Sequence, residues 1–230
     1  MKKFILVLDT ETANTLEDEK GKLDMSNVLV YDCGYAVIDR TGKIYETASF
    51  VNRDIFIEES RLMQSAYYAE KIPQYWKEIR QGKRKISTTE GIRNAMFETM
   101  VKYHIDTVSA HNARFDIMAL NNTLRYVTKS KKRYWFPFTI EIWDTMAMSR
   151  DVISKMPTYK KFCLDNNQLT KTGRLKLTAE ALFQFIRKDP CFAEQHTGLE
   201  DVLIESQILA YCFKQHKKMK KVLYQATEIY

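Results

Sequence analysis

The stretch that decides the fold is Lys3-Phe-Ile-Leu-Val-Leu-Asp9-Thr10-Glu11. Residues 3–9 form a continuous apolar run that closes on a carboxylate. A run of that length without alternation reads as a strand buried on both faces, hence a central one. Asp9 and Glu11 then sit at its carboxyl end. Residues i and i+2 of a strand point to the same side, so the two acids can face one cavity. In open α/β sheets that end of a strand is where ligands bind. Two carboxylates side by side repel, and burying them unpartnered is costly. A hard divalent cation with oxygen ligands, Mg²⁺ or Mn²⁺, removes that cost. Taken alone, Asp-x-Glu reads sooner as a solvated surface turn.

Working outward, residues 13–27 read as a polar loop, acidic near Glu17-Asp18-Glu19. Val28–Ile38 and Lys43–Val51 are β-rich, and Asp39-Arg40-Thr41-Gly42 turns between them, so the pair reads as a hairpin. Residues 58–80 read as helical with Pro73 as an interruption. Thr88 or Thr89 caps a helix to about Tyr103. Strands are expected at 105–110 and 138–143, the second ending at Asp144. Helices are expected at 113–127, in pieces over 145–167 divided by Pro157, from Thr178 to Arg187, and from Leu199 to about His216. A small hairpin around Gly173 fills 169–177. Strands first, then alternating strands and helices, imply an α/β domain around a mixed sheet.

The whole chain has 230 residues, 45% of them hydrophobic and 28% charged, so one core and one domain are expected. We assign residues 1–215 to that domain and 216–230 to a short basic tail containing Lys217, Lys218, Lys220 and Lys221. The four cysteines form no Cys-x-x-Cys pair, which argues for free thiols over a zinc site. No signal segment or membrane span is evident, so a cytoplasmic protein without a membrane partner is expected. The net charge of +7 suits an anionic polymer as partner.

Two further segments carry chemistry. His111-Asn112-Ala113-Arg114-Phe115-Asp116 follows the strand at 105–110 and opens a helix, placing Asp116 in its first turn, where the dipole favours an acid. His196-Thr-Gly-Leu-Glu-Asp201 precedes the last helix, with Asp201 helix-borne and His196 in a loop. Histidine is the side chain best suited to take a proton near neutral pH. Each segment alone is also a plain helix start with solvated charge.

Together, in this order, the three segments resemble the DEDD superfamily of 3′→5′ exonucleases. His196, five residues before Asp201, resembles its histidine subclass, which includes epsilon proofreading subunits and phage-type exonucleases. The resemblance extends from residue 9 to residue 201. It implies a ribonuclease H-like fold with a five-stranded mixed sheet flanked by helices. It also implies roles. Asp9 bridges two metal ions, Glu11 and Asp201 complete one ion's ligands, Asp116 holds the second ion, and His196 is the general base. Thr10, Thr12, Asn112 and Phe115 match positions near the substrate, although Phe115 is equally an ordinary core aromatic.

The expected function is metal-dependent exonucleolytic hydrolysis from the 3′ end of DNA, single-stranded, releasing nucleoside 5′-monophosphates. Any proofreading would act with a polymerase in trans. A ribonuclease trimming RNA 3′ ends, and a non-catalytic nucleic-acid-binding module of the same fold, are the alternatives. The complete set of acids argues against the latter. Residues 129–136 mix basic and aromatic side chains, suited either to a single strand's phosphates and bases or to a solvated loop with a buried aromatic. Arg80, Lys83, Arg84 and Lys85 form a second basic stretch, either strand-contacting or exposed.

Overall fold

The computed structural model describes residues 3–17 and 21–225. Asp18 and Glu19 of the acidic loop, and residues 226–230 of the tail, lie outside the described residues. The chain begins with β1 (Phe4–Ala13), β2 (Leu29–Asp39) and β3 (Ile44–Asn52). A short helix, α1 (Arg53–Phe56), leads through 3₁₀ turns at 60–65 and 69–71 into α2 (Ile72–Arg80). Then follow β4 (Lys85–Ser87), α3 (Thr89–Lys102), β5 (Thr107–Ala110), α4 (Arg114–Thr128) and β6 (Glu141–Asp144). Four helices, α5 (Thr145–Val152), α6 (Pro157–Asp165), α7 (Ala179–Arg187) and α8 (Gly198–Lys214), precede β7 (Val222–Gln225).

These strands form one mixed sheet of order β4-β3-β2-β1-β5-β6-β7. β2 runs antiparallel to β1 and β3, whereas β5 and β6 run parallel to β1. The expected α/β, ribonuclease H-like arrangement is therefore present, but the sheet has seven strands, not five. The two additions are edges. β4 pairs parallel with β3 over three residues, and β7 pairs antiparallel with β6. Strands this short carry no periodicity of their own. β7 lies inside the segment assigned to a basic tail. Pro73 stands in the first turn of α2, where its missing N–H costs nothing, so it starts this helix and does not interrupt one.

β1 is central, as its unbroken apolar run requires. Its even residues, Leu6 and Leu8, pack with Ile92 and Met96 of α3 and with Ile117 and Leu120 of α4. Its odd residues, Ile5 and Val7, pack on the other face with Tyr159 of α6, Leu182 of α7, and Val202 and Leu209 of α8. All four β1 side chains are fully buried, each worth roughly 1.5–3 kcal/mol. The alternation continues past the core: Asp9 and Glu11 inherit the α8 face, and Thr10 the α4 face.

Two basic stretches resolve differently. Trp135 and Phe136 are buried in the α3–α4 core, so these two aromatics of 129–136 are packing residues, while Tyr134 is half-buried beneath Arg125. Arg84 is buried in an ion pair with Asp32, while Arg80, Lys83 and Lys85 are exposed. No helix among the described residues is long and apolar enough to cross a membrane.

Candidate active site

β1 delivers Asp9 and Glu11 to one end of the sheet, and the first turn of α8 delivers Asp201 opposite them. Oxygens of Asp9, Glu11 and Asp201 lie within 4.8 Å of one another. Asp116 enters from the first turn of α4. It is tied to β1, its Oδ1 accepting from the Thr10 amide at 3.1 Å and the Thr10 hydroxyl at 2.8 Å. It lies outside the close group of three. Thr10 and Thr12 are buried beside the acids, while Asn112 is exposed at the cleft wall next to Phe115.

A cleft of about 870 Å³ opens over these groups, with His196 on its lining. Arg150, Arg174 and Lys176 supply positive charge to the cleft lining, which also includes Gln168 and Thr170. Arg174 and Lys176 belong to the segment read as a small hairpin, which closes through a single Leu169–Leu175 bridge.

The His196 ring stacks on Tyr68 with centroids 4.3 Å apart and planes 10° from parallel. Its Nδ1 lies 3.9 Å from Glu194. The backbone of His196 is left-handed, at φ 53°, as is that of Asn112 at φ 64°. Such values are uncommon for residues with a side chain and cluster where surroundings over-determine the conformation. Asn112 makes the abrupt turn from β5 into α4. Partial burial lowers the His196 pKa, keeping the ring neutral and able to accept a proton.

The acids are electrostatically strained against one another. Burial, then the charges of Asp32 and Asp201, push Glu11 up to about 9. Burial pushes Asp116 to about 7, against the hydrogen bonds from Thr10. Burial and Glu194 push Asp201 to about 8. Asp9 is raised well above the ordinary carboxylate range by burial and by Glu205. One oxygen of Asp201, Oδ1, is buried with no hydrogen-bond partner. A buried orphan acceptor beside mutually repelling carboxylates can accept a cation. Four oxygen-bearing acids and no thiolate fit a hard divalent ion.

Sequence reasoning missed three participants. Glu205 is fully buried one turn beyond Asp201 on the same face of α8, and it accepts from the His111 amide at 3.1 Å. Its signal was the i+4 spacing from Asp201. Glu194 lines the cleft, and burial pushes it to about 7. Tyr68, under His196, had no signal, being brought there by the 3₁₀ segment. His111 is held between Thr145 Oγ1 and the Leu177 carbonyl and has no free ring nitrogen. Asp144 caps α5 through the Met146 and Ala147 amides and also accepts from Asn112, a structural task. His104 and His216 are exposed at helix ends. Three cysteines are buried and all four are free.

No family model and no curated protein matches the chain. Solved structures do. The nuclease domain of 3'hExo, a DEDDh family member, bound to rAMP, matches with TM-score 0.55 and 11% identity over 96% of both chains. A product-bound exonuclease I matches with TM-score 0.56 and 11% identity over 94% of this chain and 44% of that one. A zinc-bound E. coli ExoI–ssDNA complex matches with TM-score 0.52 and 12% identity over 94% of this chain and 42% of that one. This chain thus spans less than half the length of those exonuclease I chains. The likeness establishes that the fold is that of the DEDD exonucleases.

Proposed function

We propose that this chain, with its DEDD-exonuclease fold, is a metal-dependent 3′→5′ exonuclease that removes nucleoside 5′-monophosphates from single-stranded DNA. The observation that carries the reading is the convergence of Asp9, Glu11 and Asp201 within 4.8 Å, beneath a cleft with His196 at its wall. Buried carboxylates this close together must be neutralised, by protons or by a cation, and a divalent cation neutralises several at once.

In this reading Asp9, Glu11 and Asp201 hold one divalent ion, Mg²⁺ or Mn²⁺, and Asp9 and Asp116 a second. Bound ions of this kind neutralise charge on the attacking and leaving oxygens of an in-line displacement. The remaining work belongs to the chain. Thr10 fixes the Asp116 carboxylate through two hydrogen bonds. His196, neutral because burial lowers its pKa, takes a proton from the attacking water. The water oxygen bonds to phosphorus, the phosphorus–O3′ bond breaks, and the leaving O3′ is reprotonated from solvent. Arg150, Arg174 and Lys176 meet the strand's phosphates, and Thr10, Thr12, Asn112 and Phe115 surround its terminal nucleotide.

The neighbours support the chemistry: one binds a mononucleotide, rAMP, and another a single strand of DNA with zinc. The rAMP in the former favours RNA 3′ ends as the second reading. Proofreading beside a polymerase in trans remains one setting for either activity. The test uses 5′-labelled single-stranded DNA and RNA of one sequence, with Mn²⁺ or Mg²⁺ and with chelator. A metal-dependent ladder of shortened DNA, absent in Asp9→Ala, is expected. A ladder on RNA alone reassigns the substrate, and the same degradation by Asp9→Ala overturns the site.

A further inference from the structure

A buried ion pair outside the acid cluster reaches the loop that carries His196. Asp32, on β2, is the cross-strand partner of Glu11, and it is completely buried. Arg84 Nη1 donates to both of its oxygens, at 3.0 and 2.8 Å, and the Tyr75 hydroxyl donates to Oδ2 at 2.7 Å. Arg84 is itself 5% exposed, lies over the Tyr75 ring, and also bonds Ser49 and Glu78.

The remaining donor to Asp32 Oδ2 is the backbone amide of Gly198, at 3.0 Å. Gly198 is the first residue of α8, two after His196 and three before Asp201. The N-cap of α8, Thr197, makes no side-chain cap to the helix; its hydroxyl donates to Glu200 instead. An orphan amide of the helix start is thus satisfied from another strand by a charged acceptor, the stronger kind of hydrogen bond.

Two glycines let this anchor reach. A Cβ on Gly34, the residue opposite Asp9, would stand 2.3 Å from the Gly198 carbonyl carbon and the Leu199 amide. A Cβ on Gly198 would stand 2.8 Å from the Gly34 amide and 3.3 Å from Asp32 Oδ2. The start of α8 is seated backbone to backbone on the strand pair that bears Asp9 and Glu11.

We propose that Asp32, oriented by Arg84, is a positioning residue for the reaction: by anchoring Gly198 it sets His196 and Asp201 against the β1 carboxylates. The catalytic part of this inference rests on the exonuclease reading above; the anchoring does not. Both oxygens of Asp32 are engaged by Arg84, Tyr75 and Gly198, which sets it apart from the acids proposed above as cation ligands.

The test compares Asp32→Ala, which removes the acceptor, and Arg84→Lys, which keeps the cation but loses the two-oxygen hold. Lys102→Ala, which removes the partly exposed ion pair with Glu46 and touches neither Arg84 nor Gly198, is the control for stability. Two readouts are taken on the folded full chain: amide hydrogen exchange over residues 196–201, and kcat and KM on a single-stranded oligonucleotide. Expected are faster exchange in 196–201 and a kcat loss of about 100-fold for Asp32→Ala, with KM changed less than about threefold. Arg84→Lys falls between, and Lys102→Ala matches wild type in both. If Asp32→Ala does not fold, Arg84→Lys decides.

Wild-type exchange and wild-type kcat in a folded anchor variant overturn the proposal, as does the same loss in Lys102→Ala. If wild type itself degrades no nucleic acid, the exonuclease reading fails. Exchange alone then decides the anchor: acceleration confined to 196–201 upholds it, and unchanged exchange overturns it.

Discussion

Removing divalent ions should make this protein's stability fall as pH rises, the reverse of the usual behaviour of a paired carboxylate. Asp116 shows why. It is 2% exposed, and burial raises its pKa from 3.8 to about 7. Its folded pKa exceeds its unfolded value, so between those values the folded state binds more protons than the unfolded one. Stability then declines with pH, from about pH 4 to about pH 7. A shift of about three units is worth ~4 kcal/mol, or roughly 10 °C in Tm for a chain of this size. Glu11, raised to about 9, and Asp201, raised to about 8, extend the decline above neutrality. A divalent ion at about 100 times its Kd returns about 2.7 kcal/mol, and does so only where the acids are ionised. The assay is thermal unfolding from pH 5 to 9 in chelator and in Mn²⁺. Expected is a Tm in chelator that drops with pH, a gap to the Mn²⁺ curve that widens with pH, and a shallower drop for Asp116→Asn. A flat chelator curve, or a Mn²⁺ gap independent of pH, refutes the reasoning.

His196→Ala should lose about 10²- to 10⁴-fold in kcat, the usual range for a general base, while retaining Mn²⁺ stabilisation; near-wild-type turnover in initial-rate assays contradicts its role. In wild type, rate should fall on acidification through a His196 pKa held below 6.5 by burial, read from a pH–rate profile at saturating metal. With three cations in the cleft, Arg150, Arg174 and Lys176, the salt slope of single-strand affinity should be about −2, and Arg174→Ala should shallow it, as measured by fluorescence anisotropy across salt. Gly34→Ala places a Cβ 2.3 Å from the start of α8 and should cost about 1–3 kcal/mol or more in denaturant unfolding; an unchanged midpoint means that the seat can relax.

The central strand was legible because burial on both faces forces an unbroken apolar run, and residues 4–8 have no other reading. Asp9, Glu11, Asp116 and Asp201 were legible only jointly, through three motifs in the order that resembles the DEDD exonucleases, since each segment alone also reads as solvated charge; the structure brings Asp9, Glu11 and Asp201 together and ties Asp116 to β1. What escaped is what only tertiary contact defines. β4 exists because Phe50, Val51 and Asn52 offer it partners, not because Lys-Ile-Ser prefers a strand. Glu205 reads as surface charge in a helix until α8 is laid on β1. Asp32 was an acid inside an otherwise apolar strand, a departure that signals a buried partner, but the partner, Arg84, lies 52 residues away in a stretch that read as either substrate-contacting or exposed. Residues 129–136 read either as a base-stacking segment or as a solvated loop with a buried aromatic; the burial of Trp135 against α3 and α4 favours the second and follows from helices the local composition does not describe.

The most direct measurement of the central claim follows a single-stranded DNA labelled at its 3′-terminal nucleotide, with product identified by chromatography. With Mn²⁺, wild type should release the label at once as a nucleoside 5′-monophosphate, and chelator or Asp201→Asn should abolish release. Release of a 3′-monophosphate or an internal fragment, or equal release by Asp201→Asn, would contradict the account.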